Sequence, residues 1–175
     1  ILLPLLGFLI NALFGKNLPK MVVGTLATLV VFVSFCITVS LFLKFDAESQ
    51  LVIVRAFEWF RISGVQINFG FQIDQLSLMM MMIITGIGSL IHLYSIGYMS
   101  HDKGFYKFFT YLNLFIFSML LLVMGSNYLI LFIGWEGVGL CSYLLIGFWY
   151  ENTEYGKAAR KAFIMNRIGD LGLLI

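Results

Sequence analysis

Charged residues are scarce in this sequence. Only 11% of the 175 residues are Asp, Glu, Lys or Arg, whereas 61% are hydrophobic. A soluble domain carries about 25% charged and about 45 to 50% apolar residues, so this composition excludes an ordinary soluble fold. The net charge of +2 is too small to indicate a nucleic-acid partner. We therefore expect a membrane protein that contacts the lipid bilayer and binds no nucleic acid.

Cysteine and histidine are nearly absent, with two residues of each. Cys36 and Cys141 lie inside separate apolar runs, where we expect small buried side chains and neither a disulfide nor a metal pair. No haem motif, Ser-His-Asp set or flavin fingerprint is present. The glycines of WEGVGL follow no strand and precede no Lys-Ser/Thr pair, so they do not form a nucleotide loop. We expect no cofactor and no metal on this chain.

Long apolar runs dominate the remainder. About 20 apolar helical residues cross a bilayer core of about 30 Å, and lipid leaves backbone groups no partner outside the helix itself. The predicted fold class is all-α, a polytopic transmembrane bundle of about six spans: Leu2–Phe14, Met21–Phe45, Leu76–Tyr98, Phe108–Gly125, Tyr128–Tyr150, and a last one from Ala158. Because the sequence begins inside one apolar run and stops inside another, we expect a fragment of a longer protein.

One segment between the second and third spans has a different period. Residues Val65–Ile73 read VQINFGFQI, an apolar and polar alternation typical of a strand, and Phe57–Ile62 precede them across Ser63-Gly64. This pattern predicts a small β-hairpin on one face of the bundle, with an irregular amphipathic loop as the alternative. Asp74 then precedes the third span and is placed to cap it.

The basic residues are distributed unevenly between the two faces. The loops after the first, third and fifth spans and their flanks carry seven: Lys16, Lys20, Lys103, Lys107, Lys157, Arg160 and Lys161. The opposite face carries three, Lys44, Arg55 and Arg61, and Arg167 belongs to neither. Since cytoplasmic loops are the basic ones, we expect the N-terminus and the hairpin outside.

Glu136 is the acidic residue that lies near the middle of the fifth span. An acidic side chain at a helix centre costs roughly 2.5 to 3.5 kcal/mol to insert, so it should face a wet cavity, the bundle interior or a basic partner. Gly139, Tyr143 and Gly147 share its helical face, where the glycines would let water or another helix approach. We favour Glu136 as a proton carrier; the alternative is a permanently protonated packing residue.

Two weaker candidates lie in other spans. Arg167 and Asp170 are three residues apart in NRIGDL and so share a helical face as a possible ion pair. They could serve charge relay or only pin the helix to its neighbours. His92 in SLIHLYS is the other titratable residue of note, and a lone helical histidine is more often a packing residue than a proton carrier.

Four stretches together resemble a known family: IHLYSIGYM, YKFFTYLNLF, GWEGVGLCSYLLIGFWY and KAFIMNRIGD. From about Phe71 to its last residue the chain closely resembles the largest antiporter-like membrane subunit of proton-pumping NADH:quinone oxidoreductase, respiratory complex I. The large subunit of multisubunit Na⁺/H⁺ antiporters shares the Trp-Glu pair but does not usually continue as GVGLCSY, and it remains the alternative. A passive scaffold is a third possibility.

The resemblance implies an architecture and a mechanism. The family has two inverted repeats of five helices with broken helices at the midplane, so residues 1–45 would be the first two helices, 46–75 an external hairpin, and 76–175 the start of a repeat. By resemblance Glu136 pairs with a lysine on the span after next, beyond Ile175, while Arg167 and Asp170 match charged positions of the following helix. The expected partners are neighbouring antiporter-like subunits in a bacterial inner membrane, with redox chemistry on other subunits.

Overall fold

The computed structural model describes residues 1–45, 51–62 and 65–174, and it contains the predicted six helices and the hairpin. In chain order the elements are α1 (Leu2–Phe14), α2 (Lys20–Lys44), β1 (Val52–Ile62), β2 (Val65–Ile73), α3 (Gln75–Tyr98), α4 (Phe105–Met124), α5 (Tyr128–Ile146) and α6 (Thr153–Leu174). The helix bundle with a small hairpin is confirmed. The largest shift is in α6, which begins at Thr153, five residues before the predicted Ala158, and α5 ends four residues before the predicted Tyr150.

Four helices, α2 to α5, are long and apolar enough to cross a membrane by length and composition. Helix α1 is apolar but has 13 residues, fewer than the roughly 20 that a span requires. Helix α6 has 22 residues and includes charged side chains at both ends. The composition of these helices makes the chain a multi-pass membrane protein.

Helix α4 is the centre of the bundle, because it contacts α1, α2, α3 and α5. Helix α5 packs on α4, and α6 packs on α5. Two apolar clusters fill the bundle. One is nearer the hairpin and contains Val31, Leu78, Met81, Ile84, Ile116, Leu120 and Met124. The other lies towards the opposite end and contains Val23, Ala27, Met99, Phe105 and Phe109.

Helices α4 and α5 approach each other very closely at Gly134. A Cβ atom at this position would lie 2.4 Å from the backbone nitrogen of Leu122 and 2.5 Å from its Cα. At Gly137, one turn later, a Cβ would lie 2.6 Å from the Ser118 hydroxyl oxygen. The short side chains of α5 therefore let its backbone lie directly against α4.

The β-hairpin is antiparallel and is joined to the bundle through β2. The backbone N–H of Ser126 donates to the Gly70 carbonyl at 3.2 Å, and the Asn127 side-chain amide donates to the Asn68 carbonyl at 2.7 Å. Phe71 packs against the apolar cluster near the hairpin. The alternative of an irregular loop is thus wrong, and the predicted Ser63-Gly64 turn lies outside the described residues.

A side-chain cap begins α3 where the sequence predicts it. The backbone N–H of Ser77 donates to Asp74 Oδ1 at 2.7 Å, and the backbone N–H of Asp74 donates to the Ser77 hydroxyl at 2.8 Å. These reciprocal bonds form a capping box, which satisfies donors that the helix leaves free. The hairpin therefore connects to α3 through a fixed junction.

Three connections lie together at the other end of the bundle, which we call the basic end: α1–α2, α3–α4 and α5–α6. Lys20 Nζ donates to the carbonyls of Ser100 at 2.8 Å and Asp102 at 2.9 Å. Trp149 Nε1 donates to Asp102 Oδ2 at 2.8 Å. This grouping agrees with the alternation of loops on which the charge count depends. The side of the membrane that each end faces stays a prediction.

Cys36 corrects one expectation. Cys141 is buried as predicted, but Cys36 is exposed, and both thiols are free. Helix α2 is apolar around its whole circumference, so hydropathy does not indicate which face packs. The buried face is the one with the residues Val23, Gly24, Ala27, Val31, Ser34 and Thr38, and Cys36 lies outside it.

Candidate functional site

Glu136 lies in α5 and forms an ion pair with Arg167 of α6. Oxygen Oε2 of Glu136 contacts Nη1 of Arg167, and the Glu136 side chain is only 21% exposed. Both residues were predicted from the sequence, but not as a pair, since the expected partner of Glu136 was a lysine beyond Ile175. A cation therefore already lies beside Glu136 within the described chain.

Arg167 is shared with a second carboxylate. Its Nη1 lies 3.5 Å from Oδ2 of Asp170, which confirms the predicted pair, and the Asp170 side chain is 8% exposed. Trp135 Nε1 donates to the other oxygen, Oδ1 of Asp170, at 2.7 Å. These four residues, Trp135, Glu136, Arg167 and Asp170, form what we call the charged cluster.

The helical face predicted around Glu136 is the face on which α6 packs. A Cβ at Gly139 would lie 3.3 Å from Asn166 Nδ2, and one at Gly147 would lie 3.1 Å from the Cβ of Ala159. Between them, the ring of Tyr143 packs edge-on against Phe163 with centroids 5.6 Å apart. The glycines let α6 approach, as predicted, and this approach brings Arg167 to Glu136.

The charged cluster has an unequal number of charges. When all its groups are ionised, two carboxylates face one guanidinium, so the cluster carries one excess negative charge. Arg167 also stacks on Phe163, with its guanidinium carbon 4.7 Å from the ring centroid, and its side chain is 43% exposed in this chain. One further positive charge would therefore make the ionised cluster neutral.

His92 lies in a different part of the bundle. It belongs to α3, which packs on α2 and α4, and its ring centroid is 6.1 Å from that of Phe109 of α4. It is completely buried, and its Nδ1 lies 2.8 Å from the Gly88 carbonyl. The structure does not bring His92 to the charged cluster.

Two residues that join α5 to α6 were not predicted from the sequence. Besides the Trp135 bond to Asp170, the Tyr128 hydroxyl donates to the Leu173 carbonyl. Indole and phenol groups in apolar helices require a partner, and this general signal could have drawn attention to both residues. Within the described residues, no group of three or more His, Cys, Asp or Glu side chains is placed to hold a metal ion.

Two family models match the chain. Residues 59–109 match "NADH-Ubiquinone oxidoreductase (complex I), chain 5 N-terminus", and residues 125–175 match "NADH:quinone oxidoreductase/Mrp antiporter, TM". Together they cover more than half of the chain, and the second includes every residue of the charged cluster.

Relatives and solved structures agree with these matches. The chain is 54% identical over 173 residues to NADH-quinone oxidoreductase subunit L of Campylobacter jejuni, which is 98% of this chain but 28% of that protein. It superposes with a TM-score of 0.81 on a chain of an archaeal membrane-bound sulfane sulfur reductase, at 16% identity and covering 97% of this chain and 33% of that one. For a chain of the Mrp complex from Dietzia sp. DQ12-45-1b the TM-score is 0.75, at 24% identity, with 99% of this chain and 18% of that one covered. The chain therefore belongs to the family of antiporter-like membrane subunits that includes subunit L of NADH-quinone oxidoreductase.

Proposed function

We propose that this chain is part of a proton-translocating membrane subunit of NADH:quinone oxidoreductase, and that Glu136 is its proton carrier. The observation that carries this proposal is the Glu136 carboxylate, which lies in the otherwise apolar helix α5 and pairs with Arg167 of α6. Ionisable groups within membrane spans commonly mark ion pathways. The relative from Campylobacter jejuni, which is named as a subunit of that enzyme, supports the same function.

In the proposed mechanism, the proton on Glu136 follows the position of a nearby cation. A cation beside the carboxylate stabilises its charged form, and withdrawal of the cation favours uptake of a proton. The excess negative charge of the cluster leaves a place for a second cation, for which the family resemblance supplies a lysine beyond Ile175. When that lysine returns, Glu136 releases the proton to the next hydrated polar group.

The energy needed to separate two charges in the cluster is similar to the energy that a membrane potential supplies. Separating two unit charges from about 4 Å to about 8 Å costs about 2 kcal/mol at an effective dielectric constant of about 20. A single charge that crosses a membrane potential of about 100 mV gains about 2.3 kcal/mol. A movement of a few ångströms within the cluster is therefore enough to bias proton transfer.

The remaining assignments are part of the same proposal. The partners are other membrane subunits, chiefly neighbouring antiporter-like ones, and the redox groups belong to other subunits and not to this chain. The membrane is the bacterial inner membrane, with the hairpin on the periplasmic side. The excess of basic residues at the basic end supports this orientation. The relative that is named as a subunit of NADH-quinone oxidoreductase supports the assembly with other membrane subunits.

The substitution Glu136→Gln in the intact complex tests the proposal. It removes the titratable group with little change in volume, so we expect the number of protons translocated per NADH oxidised to fall severalfold in sealed membrane vesicles. The matched control is Glu154→Gln, which breaks an exposed ion pair with Lys157 at the basic end and should leave translocation unchanged. Unaltered translocation by the Glu136 variant would make this residue a packing element.

A Na⁺/H⁺ antiporter subunit is the second candidate, because the fold also superposes on a chain of an Mrp complex. The two functions differ in what drives proton movement. In an antiporter, a Na⁺ gradient alone moves protons across vesicles without NADH, and Glu136→Gln abolishes that movement. In the respiratory complex, proton movement requires NADH oxidation and persists without Na⁺.

A further inference from the structure

Inside the bundle of helices α1 to α4, which we call the α1–α4 bundle, three polar side chains have atoms without a hydrogen-bond partner among the described residues. They are Asn11 of α1, His92 of α3 and Asn113 of α4, and each is completely buried. Both side-chain polar atoms of each asparagine, and Nε2 of His92, lack a partner among the described residues. Buried polar groups of folded proteins are nearly always hydrogen-bonded, if not to protein then to ordered water. Such a concentration of unpaired atoms indicates that a ligand completes their bonding.

The three side chains lie within about one helical turn of one another along the bundle. A Cβ at Gly7 of α1 would lie 3.0 Å from Asn113 Nδ2, and Asn11 follows Gly7 by one helical turn on the same face. On the other side of Asn113, the His92 ring lies beside its amide without a hydrogen bond of acceptable geometry. Asn113 is thus the middle member of the group.

The bond at His92 Nδ1 determines what Nε2 can do. Nδ1 lies 2.8 Å from the Gly88 carbonyl, and a carbonyl can only accept, so Nδ1 carries a hydrogen. In the neutral ring, Nε2 is then an acceptor that requires a donor. The hydroxyl of Thr110, which precedes Asn113 by three residues in α4, is not a free donor, because it already donates to the Tyr106 carbonyl at 2.7 Å.

Direct contacts among the three side chains would not satisfy them all. If Asn113 bonded to His92 on one side and to Asn11 on the other, the remaining atom of the Asn11 amide would still lack a partner. A water molecule has two donors and two acceptors and commonly makes about three bonds in such sites. It can therefore donate to Nε2 and an amide oxygen while it accepts from an amide N–H.

We propose that Asn11, His92 and Asn113 form an internal water-binding site at the centre of the α1–α4 bundle. The site is separate from the charged cluster, since α4 lies between α5 and the helices α1 and α3. Its ligand is one or more neutral water molecules. In this arrangement His92 is a water ligand and not a member of the Glu136 pathway.

The test is a cryo-EM map of the intact complex at a resolution that shows ordered water, for the wild type and for Asn113→Leu. We expect density within hydrogen-bond distance of His92 Nε2 and at least one of the two amides, and its loss in the variant. A matched control is Thr110→Val, which removes a hydroxyl that is already bonded and should keep the density. A wild-type map without density there would overturn the proposal, whether or not the variant assembles.

Radiolytic hydroxyl labelling of the same complex gives a second measurement. Water activated by X-rays oxidises the side chains that it touches, so buried Phe109, which packs on His92, should be oxidised early. Asn113→Leu should lower this oxidation severalfold, and Asn11→Leu serves if that variant does not assemble. Buried Leu120, in the apolar cluster, is the dry reference. Equal labelling of Phe109 and Leu120 in the wild type, after correction for the higher intrinsic reactivity of phenylalanine towards hydroxyl radicals, would contradict a water site.

Discussion

Asp102 is a loop residue that joins the α3–α4 connection to the α5–α6 connection at the basic end. Its carboxylate accepts hydrogen bonds from Trp149 Nε1 at 2.8 Å and from the backbone N–H of Gly104 at 2.6 Å. These bonds lower the pKa of Asp102 below its usual value of 3.8, and the bond from Trp149 has the largest effect. Because the folded pKa is lowered, ionised Asp102 stabilises the fold above about pH 4 and loses this effect as the pH falls further.

We expect Asp102→Asn to destabilise the protein at neutral pH by on the order of 1 kcal/mol, a small amount because solvent reaches and screens this partly exposed carboxylate. The measurement is the melting temperature of the detergent-solubilised complex from pH 7 down to about 3. The gap between wild type and variant should narrow below about pH 4, where wild-type Asp102 becomes protonated too. A gap that is constant over this whole range would mean that the carboxylate charge is not involved.

At the charged cluster, sequence alone could predict Glu136, Arg167 and Asp170, but neither Trp135 nor the pairing of Glu136 with Arg167. The spacing of Arg167 and Asp170 within one helix fixes their proximity, so that pair was predictable. Glu136 and Trp135 lie on another helix, and their pairing with α6 depends on how α5 and α6 are rotated about their axes. That rotation is set by the contact of Gly139 with Asn166 and of Gly147 with Ala159, which no local pattern reports.

At the scale of the helices, the α4–α5 contact depends on one missing side chain. Gly134 lies so close to the Leu122 backbone that a Cβ cannot be accommodated without movement of a helix. A flexible side chain could turn away, but backbone atoms of a helix cannot. The short distance between α4 and α5 therefore depends on the absence of a side chain at Gly134.

We expect Gly134→Ala to force these helices apart and to destabilise the protein by roughly 1 to 3 kcal/mol, the range of overpacked cores. The melting temperature of the purified complex and its assembly measure this. Gly97→Ala in α3 is the control, because a Cβ there meets no atom within 4 Å. If both variants melt alike, the close approach at Leu122 does not limit stability.

Hydropathy was sufficient to predict where the helices lie along the chain, but not which face of each helix packs against the bundle. All six were predictable because apolar runs and short polar connections alternate, and Asp74 indicated the start of α3. Cys36 shows the limit: in a helix as uniformly apolar as α2, lipid-facing and packed positions have the same composition. The buried face follows from the small residues Gly24 and Ala27, whose packing partners lie on other helices.

Across the whole molecule, the two ends of the bundle differ in structure and in charge. One end carries the hairpin and the α4–α5 connection, and the basic end carries the three connections that Lys20 and Asp102 link. The hairpin contains Arg55 and Arg61, whereas most Lys and Arg residues lie at or near the basic end.

This asymmetry predicts the orientation in the membrane. In Arg61→Cys the new thiol should react with a membrane-impermeant maleimide added to intact spheroplasts, whereas in Lys103→Cys it should react only in inverted vesicles. The parent protein, with Cys36 and Cys141 inside membrane helices, should react in neither preparation. The reverse pattern of labelling would place the hairpin in the cytoplasm.

The close packing of α5 on α4 has a mechanical consequence for the Glu136–Arg167 pair. Glu136 lies on α5, whose backbone packs directly against α4 at Gly134, so we expect it to be the less mobile half of the pair. Arg167 lies on α6, which contacts α5 through side chains that include an edge-on ring pair and a few polar bonds. Small displacements of α6 can change these contacts without separating two closely packed backbones. We therefore expect the Glu136–Arg167 pair to open and close by a displacement of α6, while Glu136 keeps its position.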